Sequence, residues 1–370
     1  MTTLLLCGML ILSSVNAAPV TTPPPTETEE LLDAVDLSAW DRFFLGVEGT
    51  EGWQRPSVLV REITEGAGDP SRLLSWLKMR GLAGLPGAVS LCLAALVTGV
   101  LGALLETLLD SPVLPTRRVL SIGLAALFLL QLLPLIRRGL TCLRGLVALA
   151  DVSVPLMTGA LVLLGSPQGA SAMGTVGELL IHTCLHWMEG CLAPIALSAG
   201  VLRSADCMGE SVLSAISRLL FTLAHWGVRA ICLGYTVIAA LVGTSAAGMD
   251  SLLLRTGRAA AGSLPLVGSI VSDSLGTAIA CLAIVKRALG RVGMLLVTVQ
   301  AAGPAAELLL YGFGLRASSA LLTSLEQREM GNMLLALGEM LTTLGALILA
   351  AGAMLCVTVG GASGCLGGGL

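Results

Sequence analysis

The sequence has little charge. Asp, Glu, Lys and Arg make up 12% of its 370 residues, whereas an ordinary soluble domain carries roughly 25%. Hydrophobic residues make up 55% of the chain, and its mean hydropathy is +0.89. This composition leaves too little polar surface for a soluble protein. Because a helix needs about 20 apolar residues to cross a bilayer, the length suffices for a bundle of membrane spans.

Basic clusters and paired cysteine motifs are also absent. The formal net charge is only -3, and Lys and Arg are scattered, so no phosphate-binding face is predicted and nucleic acid is excluded as a partner. The ten cysteines include no CxxC pair, and residues 19–80 contain none of them. A disulfide framework is therefore not indicated.

Sequence motifs for the common enzyme chemistries are missing as well. The chain has no GxxxxGK[ST] phosphate loop, no GxSxG turn and no HExxH metal motif. It also has no soluble region large enough for an NTPase. We therefore expect a protein that is not an enzyme, in which any energy used comes from another protein.

The N-terminal region divides into two parts. Residues 1–17 combine an apolar run with small residues before Ala18, which predicts a cleaved signal peptide, although the lack of Lys and Arg leaves an uncleaved anchor as the alternative. Residues 18–80 form a predicted extracytoplasmic polar segment. Trp40, Phe43 and Phe44 lie there among acidic residues and predict short amphipathic helices, which need a partner or the membrane surface because they cannot form their own core.

The region 81–359 is predicted to be an all-α transmembrane bundle with about eight spans. The spans are drawn at 82–105, 119–136, 145–165, 179–202, 230–249, 259–285, 292–315 and 333–359. Gly262, Pro265, Gly268 and Gly276 could instead make 259–285 re-entrant, which requires shielding by protein or water. Residues 360–370 are predicted to be a flexible Gly-rich tail.

Basic residues do not orient this bundle. An outside N-terminus places the loops of Arg117 and Arg118 and of Arg255 and Arg258 in the cytoplasm. It also places outside the loops of Arg137 and Arg138 and of Lys286, Arg287 and Arg291. The signal peptide alone therefore supports an outside N-terminus.

Ionisable residues inside predicted spans are the candidates for function, since charge in a bilayer usually has a reason to be there. Glu178, His182, His186 and Glu189 have spacings that place them on one helix face. Three interpretations remain: a polar face turned into the bundle or a water-filled cavity, proton or ion handling, and metal binding. No metal site is predicted, since only His182 and His186 are candidates and no further ligand lies nearby in sequence. Glu178 and Glu339, near span ends, are interpreted as side chains that reach the interface.

A second group surrounds Asp273. Small residues recur every four positions at Gly268, Ser272, Gly276 and Ala280, which allows close helix packing with the carboxylate held inside the bundle. Asp250 follows a similar small stripe. Prolines at Pro155, Pro194, Pro265 and Pro304 predict either exposed helix ends that bind ligands or simple packing kinks.

An ordered motif lies within residues 249–293. It comprises Met249-Asp250-Ser251, Arg255-Thr256, Leu264-Pro265-Leu266-Val267-Gly268, Ser272-Asp273, Cys281, Val285-Lys286-Arg287-Ala288-Leu289-Gly290 and Gly293. The chain resembles the stage III sporulation protein AE family in this motif, and more loosely over about residues 80–360. It departs from the family at Arg255, where Lys is usual, and in its His-rich fourth span.

The resemblance implies a function in endospore-forming bacteria. Family members are membrane subunits of the channel between mother cell and engulfed forespore, which is thought to sustain late forespore gene expression, and they lie in the mother-cell membrane around the forespore. Implied partners are other stage III sporulation A-operon proteins, including a secretion-type ATPase and a ring-forming component, and stage II sporulation protein Q. No cofactor is implied.

Two further functions remain as alternatives. A stand-alone secondary transporter would use Asp273 and the His/Glu face, and an intramembrane metal hydrolase would use His182 and His186. For a channel subunit, we expect Asp273→Asn to be more harmful than substitution of Leu347, which is predicted to face lipid.

Overall fold

The computed structural model describes residues 35–46, 55–64, 79, 84–108, 114–163, 177–206, 215–239, 268–325 and 327–362. Among these residues, helices dominate and no strand occurs, so the predicted all-α class is confirmed. The signal peptide and residues 363–370 of the tail lie outside the described residues. The helices are α1 (Ser38–Leu45), α2 (Pro56–Thr64), α3 (Leu85–Leu108), α4 (Leu114–Leu163), α5 (Glu178–Trp187), a π-turn (Met188–Leu192), α6 (Ala193–Asp206), α7 (Ala215–Ala239), α8 (Gly268–Ser324) and α9 (Arg328–Ala362).

Five stretches of the described chain are long and apolar enough to cross a membrane. They are Leu130–Leu163, Glu178–Ser204, Ala215–Ala239, Ile284–Ser324 and Arg328–Gly361, and Leu85–Leu101 is a shorter apolar helix. The predicted spans 179–202 and 333–359 each correspond to one of the five stretches, whereas 82–105 corresponds only to the shorter apolar helix, and the predicted count of about eight spans is not confirmed. The predicted span 230–249 begins too late, because α7 already starts at Ala215.

The structure corrects two predicted loops. Spans 119–136 and 145–165 belong to the single helix α4, which has 50 residues, and α8 is continuous over 57 residues. At 1.5 Å per residue, α4 is about 75 Å long, more than twice the thickness of a hydrocarbon core. Arg138 and Arg287 therefore lie within helices. Because the described chain has no loops at these positions, the charges there do not indicate the orientation of the bundle.

The described part of span 259–285 is also helical. Gly268 and Gly276 lie in the first turns of α8, which shows no break there, while Gly262 and Pro265 lie outside the described residues. Helices α4 and α8 also pass through Pro155 and Pro304 without ending, so these prolines do not expose helix ends.

Helices α8 and α9 form the antiparallel centre of the fold. Glycines recur every seven residues on α9, where a Cβ on Gly338 would lie 2.8 Å from the Gly312 carbonyl oxygen and one on Gly331 would lie 3.1 Å from the Ser319 oxygen. Small residues therefore let the two backbones approach closely, as is common between membrane helices. The set on α9 is Gly331, Gly338, Gly345 and Gly352. Leu347, predicted to face lipid, is instead fully buried in this core.

The two short N-terminal helices pack on the bundle. Trp40 of α1 is fully buried, and its indole Nε1 donates to Ser153 Oγ of α4 at 3.2 Å. Asp41 fastens α2 to α1, since its carboxylate accepts the Ser57 backbone N–H at 3.0 Å and the Ser57 hydroxyl at 2.7 Å. The predicted helices thus form, and the partner that they need is the bundle of the same chain.

A π-turn interrupts the helix that starts at Glu178. It spans Met188–Leu192, immediately before Pro194. Proline has no backbone N–H and its ring clashes with the carbonyl four residues earlier, which here belongs to Gly190. Widening the turn relieves this conflict, so Pro194 gives a local reason for the π-turn.

Candidate functional site

One ion pair and one histidine–carboxylate contact join α4 to the helix that follows it. Arg144 Nε donates to Glu189 Oε1 at 3.2 Å, and His182 Nδ1 lies 3.0 Å from Asp151 Oδ1. Arg144 and Asp151 are seven residues apart on α4, as are His182 and Glu189 on the opposing helix, so each pair is two turns from the other. We call Arg144, Asp151, Glu178, His182 and Glu189 the polar seam.

One end of the polar seam opens into a cleft of ≈ 400 Å³. Asp151, Glu178 and His182 supply its ionisable groups, and the remaining lining residues are Ala150, Val154, Leu179 and Ile181. The His182 and His186 rings meet edge to face with centroids 4.3 Å apart.

Three of the four residues of the predicted face belong to the polar seam. Glu178 and His182 line the cleft, and Glu189 lies in the π-turn against Arg144, while His186 is exposed beside the cleft. Within the described part of the chain, no group of three His, Cys, Asp or Glu residues is placed to hold a metal ion.

The second predicted group is largely outside the described residues. Asp250, Arg255 and Pro265 lie there, as does the side chain of Asp273, whose backbone belongs to α8. Gly268 and Gly276 occupy the same helix. The expected burial of Asp273 beside these glycines therefore stays a prediction.

Sequence reasoning missed the partners on α4. Neither Asp151 nor Arg144 was matched there to a residue of another helix. A pattern in the sequence could have indicated these partners. Arg144 and Asp151 are seven residues apart on α4, and His182 and Glu189 are seven apart on the next helix. When the two helices pack antiparallel, Arg144 meets Glu189 and Asp151 meets His182. Charges placed this way satisfy one another when the helices pack.

Two further ion pairs link other helices. Arg138 Nη1 of α4 lies 3.3 Å from Glu307 Oε1 of α8, and Arg203 of α6 pairs with Glu339 of α9. The Arg203 guanidinium also lies 5.9 Å from the centre of the Phe221 ring. Glu339 is thus held by an interhelical ion pair, and its predicted position at the membrane interface stays a prediction.

Comparison with known proteins gives one family. The model of a family described as stage III sporulation protein AE matches residues 88–362. No curated protein and no solved structure matches the chain. The matched range extends from the beginning of α3 to the end of α9, and it therefore includes the whole polar seam.

Proposed function

Since the chain belongs to the stage III sporulation protein AE family, we propose that it is a membrane subunit of the channel, or export complex, that links mother cell and forespore. Family membership and its apolar helices make it a sporulation-related, multi-pass membrane protein. The finer proposal is that the subunit lies in the mother-cell membrane around the forespore and is required for late forespore development.

The extent of the family match carries this proposal. Residues 88–362 cover α3 to α9, so the family is defined by the membrane bundle itself rather than by an attached soluble domain. Ion pairs between helices support a structural role for the charged side chains. Arg138 and Arg144 of α4 and Arg203 of α6 each pair with an acidic residue of another helix. We propose a non-enzymatic subunit.

The proposed partners follow from the family. They are the other stage III sporulation A-operon proteins, among them a secretion-type ATPase and a ring-forming component, and stage II sporulation protein Q from the forespore. An ATPase partner would supply the energy that this chain has no phosphate loop to obtain for itself.

Deletion of the gene in its own host tests the proposal. Spore yield and a late forespore-specific reporter should both be lost after engulfment is complete, and a copy of the gene at another locus should restore them. Normal spore yield and reporter activity in the deletion strain would contradict the proposal.

A second candidate function is a stand-alone secondary transporter. The cleft containing Asp151, Glu178 and His182 favours it, since intramembrane acid and histidine groups serve as proton relays in transporters. Purified chain in liposomes would then accumulate a substrate in response to a proton gradient, and the His182→Gln variant would not. A chain that transports nothing without its partners supports the channel subunit instead.

A further inference from the structure

The outward face of α4 carries only polar or small side chains and two prolines between residues 134 and 159. Between Leu133 and Val162, no exposed residue of α4 has an apolar side chain larger than that of Ala or Pro. These exposed residues follow one another every three or four positions and so form one continuous stripe. The α4 stripe consists of Pro134, Arg137, Arg138, Thr141, Arg144, Ala148, Asp151, Pro155 and Gly159.

Other outward faces of the molecule look different. Helix α3 presents a row of large apolar side chains, at Leu85, Val89, Leu93, Val97, Val100, Leu101 and Leu104. Helix α7 has an apolar row at Ile216, Leu219, Leu223, Trp226, Leu233 and Val237, which continues through exposed Ala230, and beside this row it exposes Arg218, Thr222, His225 and Arg229. These rows suit contact with lipid, and the α4 stripe does not.

The α4 stripe lies within the part of α4 that can cross a membrane. All nine of its residues belong to Leu130–Leu163, the stretch of α4 that is long and apolar enough for a crossing. Any segment of about 20 residues within this stretch, the length that a crossing needs, includes Arg144. The buried side of the same segment packs in the apolar core, with Leu143, Leu146 and Leu149 fully buried. A membrane-spanning α4 therefore carries charged residues at the depth of the lipid tails.

The polar surface extends beyond α4. The contacts of the polar seam join the stripe to α5 and the π-turn, where Thr183, His186 and Cys191 are exposed, although Leu179 and Trp187 interrupt this neighbouring surface. Asp151 belongs both to the stripe and to the cleft. A broad surface of this kind is typical of ionisable residues that face water inside a membrane.

A dry contact between two copies of the chain is unfavourable for the charged residues of the α4 stripe. Copies in one membrane share one orientation, so a symmetric contact along the stripe would place Arg144 near Arg144 and Asp151 near Asp151. Like charges repel strongly in a dry interface but are screened by water. A water-filled path accommodates the stripe whether or not several copies surround it.

We propose that the α4 stripe forms part of the wall of an aqueous path across the membrane. The occupant of this surface is water with its dissolved small solutes, and Thr141, Ala148 and Gly159 leave room for it because their side chains are small. This inference rests on the proposed function, to which it adds the helix that lines the path.

Thiol labelling of single introduced cysteines tests the inference in membranes of sporulating host cells. Ala148→Cys on the stripe is compared with Ala230→Cys on the apolar row of α7, and Thr141→Cys is compared with the near-isosteric Val97→Cys on α3. Native cysteines are retained, and site-resolved mass spectrometry follows each introduced position. Because the thiolate is the reacting form, a membrane-impermeant sulfonated maleimide reports contact with water.

We expect each stripe cysteine to react at least tenfold faster than its matched control. Equal rates within a pair, labelling of the stripe only by a lipid-soluble maleimide, or protection of the stripe from both reagents would each overturn the inference. The last result would indicate a dry protein partner. The deletion phenotype tests the proposed function separately and does not depend on these labelling results. If the stripe cysteines react with the water-soluble reagent but the deletion strain sporulates normally, only the proposed function is contradicted.

Discussion

At the scale of single residues, Trp40 joins the N-terminal helices to the bundle. It is fully buried, and a Cβ on Gly293 would lie 3.3 Å from its ring atom Cη2. We predict that Trp40→Ala lowers the free energy of unfolding by about 3–5 kcal/mol, because it leaves a cavity and removes the hydrogen bond to Ser153. Reversible unfolding in mixed detergent micelles measures this change.

Trp226 provides the matched control for Trp40. Its side chain is 65% exposed on α7, so Trp226→Ala should change the free energy of unfolding by no more than about 0.5 kcal/mol in the same assay. If both tryptophan variants lose the same stability, then α1 does not pack on the bundle as described.

The ion pair of Arg203 and Glu339 should stabilise the bundle only as a pair. Both side chains are less than a third exposed, at 29% and 27%. Glu339→Leu or Arg203→Met alone should each cost about 2 kcal/mol, since the remaining charge is left partly buried, and the double variant should cost less than the sum. A double-mutant cycle measures the coupling. The Arg144 and Glu189 pair, with Arg144 70% exposed, should couple by less than about 1 kcal/mol, and equal coupling in the two cycles would contradict this prediction.

The sequence identified the candidate side chains better than the residues that they contact. His182 and Glu189 stood out because ionisable residues are rare in apolar segments. Their contacts with Asp151 and Arg144 depend on which helices pack together and in which direction. Residue spacing constrains a single helix, whereas the pairing of helices is a property of the fold.

At the scale of elements, the contact between α8 and α9 depends on heptad-spaced glycines. A Cβ on Gly338 would lie 2.8 Å from a backbone oxygen that cannot rotate away. We predict that Gly338→Ala destabilises the fold by about 1–3 kcal/mol, because the helices must separate. Thermal unfolding in detergent, followed by loss of helical circular dichroism, measures the effect.

Gly234 of α7 is the control for this substitution. A Cβ there would meet nothing within 4 Å, so Gly234→Ala should stabilise the protein by about 0.5–1 kcal/mol through the lower helix propensity of glycine. Opposite signs for the two Gly→Ala variants are the expected result. A stabilised Gly338→Ala variant would mean that α8 and α9 do not approach as closely as described.

Helix positions were predicted better than helix ends. The span 333–359 agrees with α9 because Glu339 is its one charged residue, whereas α4 was divided at the adjacent charges of Arg137 and Arg138. A hydropathy window treats these charges as an interruption, although the helix continues and carries them on its outer face. The repeat of Gly331, Gly338, Gly345 and Gly352 is visible in the sequence and would have predicted the close helix contact.

At the scale of the whole molecule, the outer surface determines how the bundle sits in a membrane. A charged side chain at the bilayer centre costs about 2.5–3.5 kcal/mol. A charged residue of the α4 stripe that faced lipid at this depth would therefore cost a substantial part of the stability of a typical fold, which is about 5–15 kcal/mol, less what its partner on another helix compensates. Lipid contact along this stripe is therefore energetically unfavourable.

Composition and one ordered motif predicted the class of the protein and its family, because both depend on residue types along the chain. The placement of α1 and α2 on the bundle was not predictable in the same way. Trp40 and Phe44 indicated amphipathic helices that need an apolar partner, but a bilayer surface and the groove beside Ser153 and Gly293 satisfy that need equally well at the level of sequence.

One pair of variants tests the central claim that this bundle is a channel subunit with α4 along its path. Ala148→Leu adds bulk to the α4 stripe, and Ala230→Leu adds the same bulk to the apolar row of α7. With equal protein levels in sporulating cells, we expect Ala148→Leu to lower late forespore reporter activity at least tenfold and Ala230→Leu to leave it within twofold of the unmodified chain. Equal reporter activity in the two strains would contradict the claim.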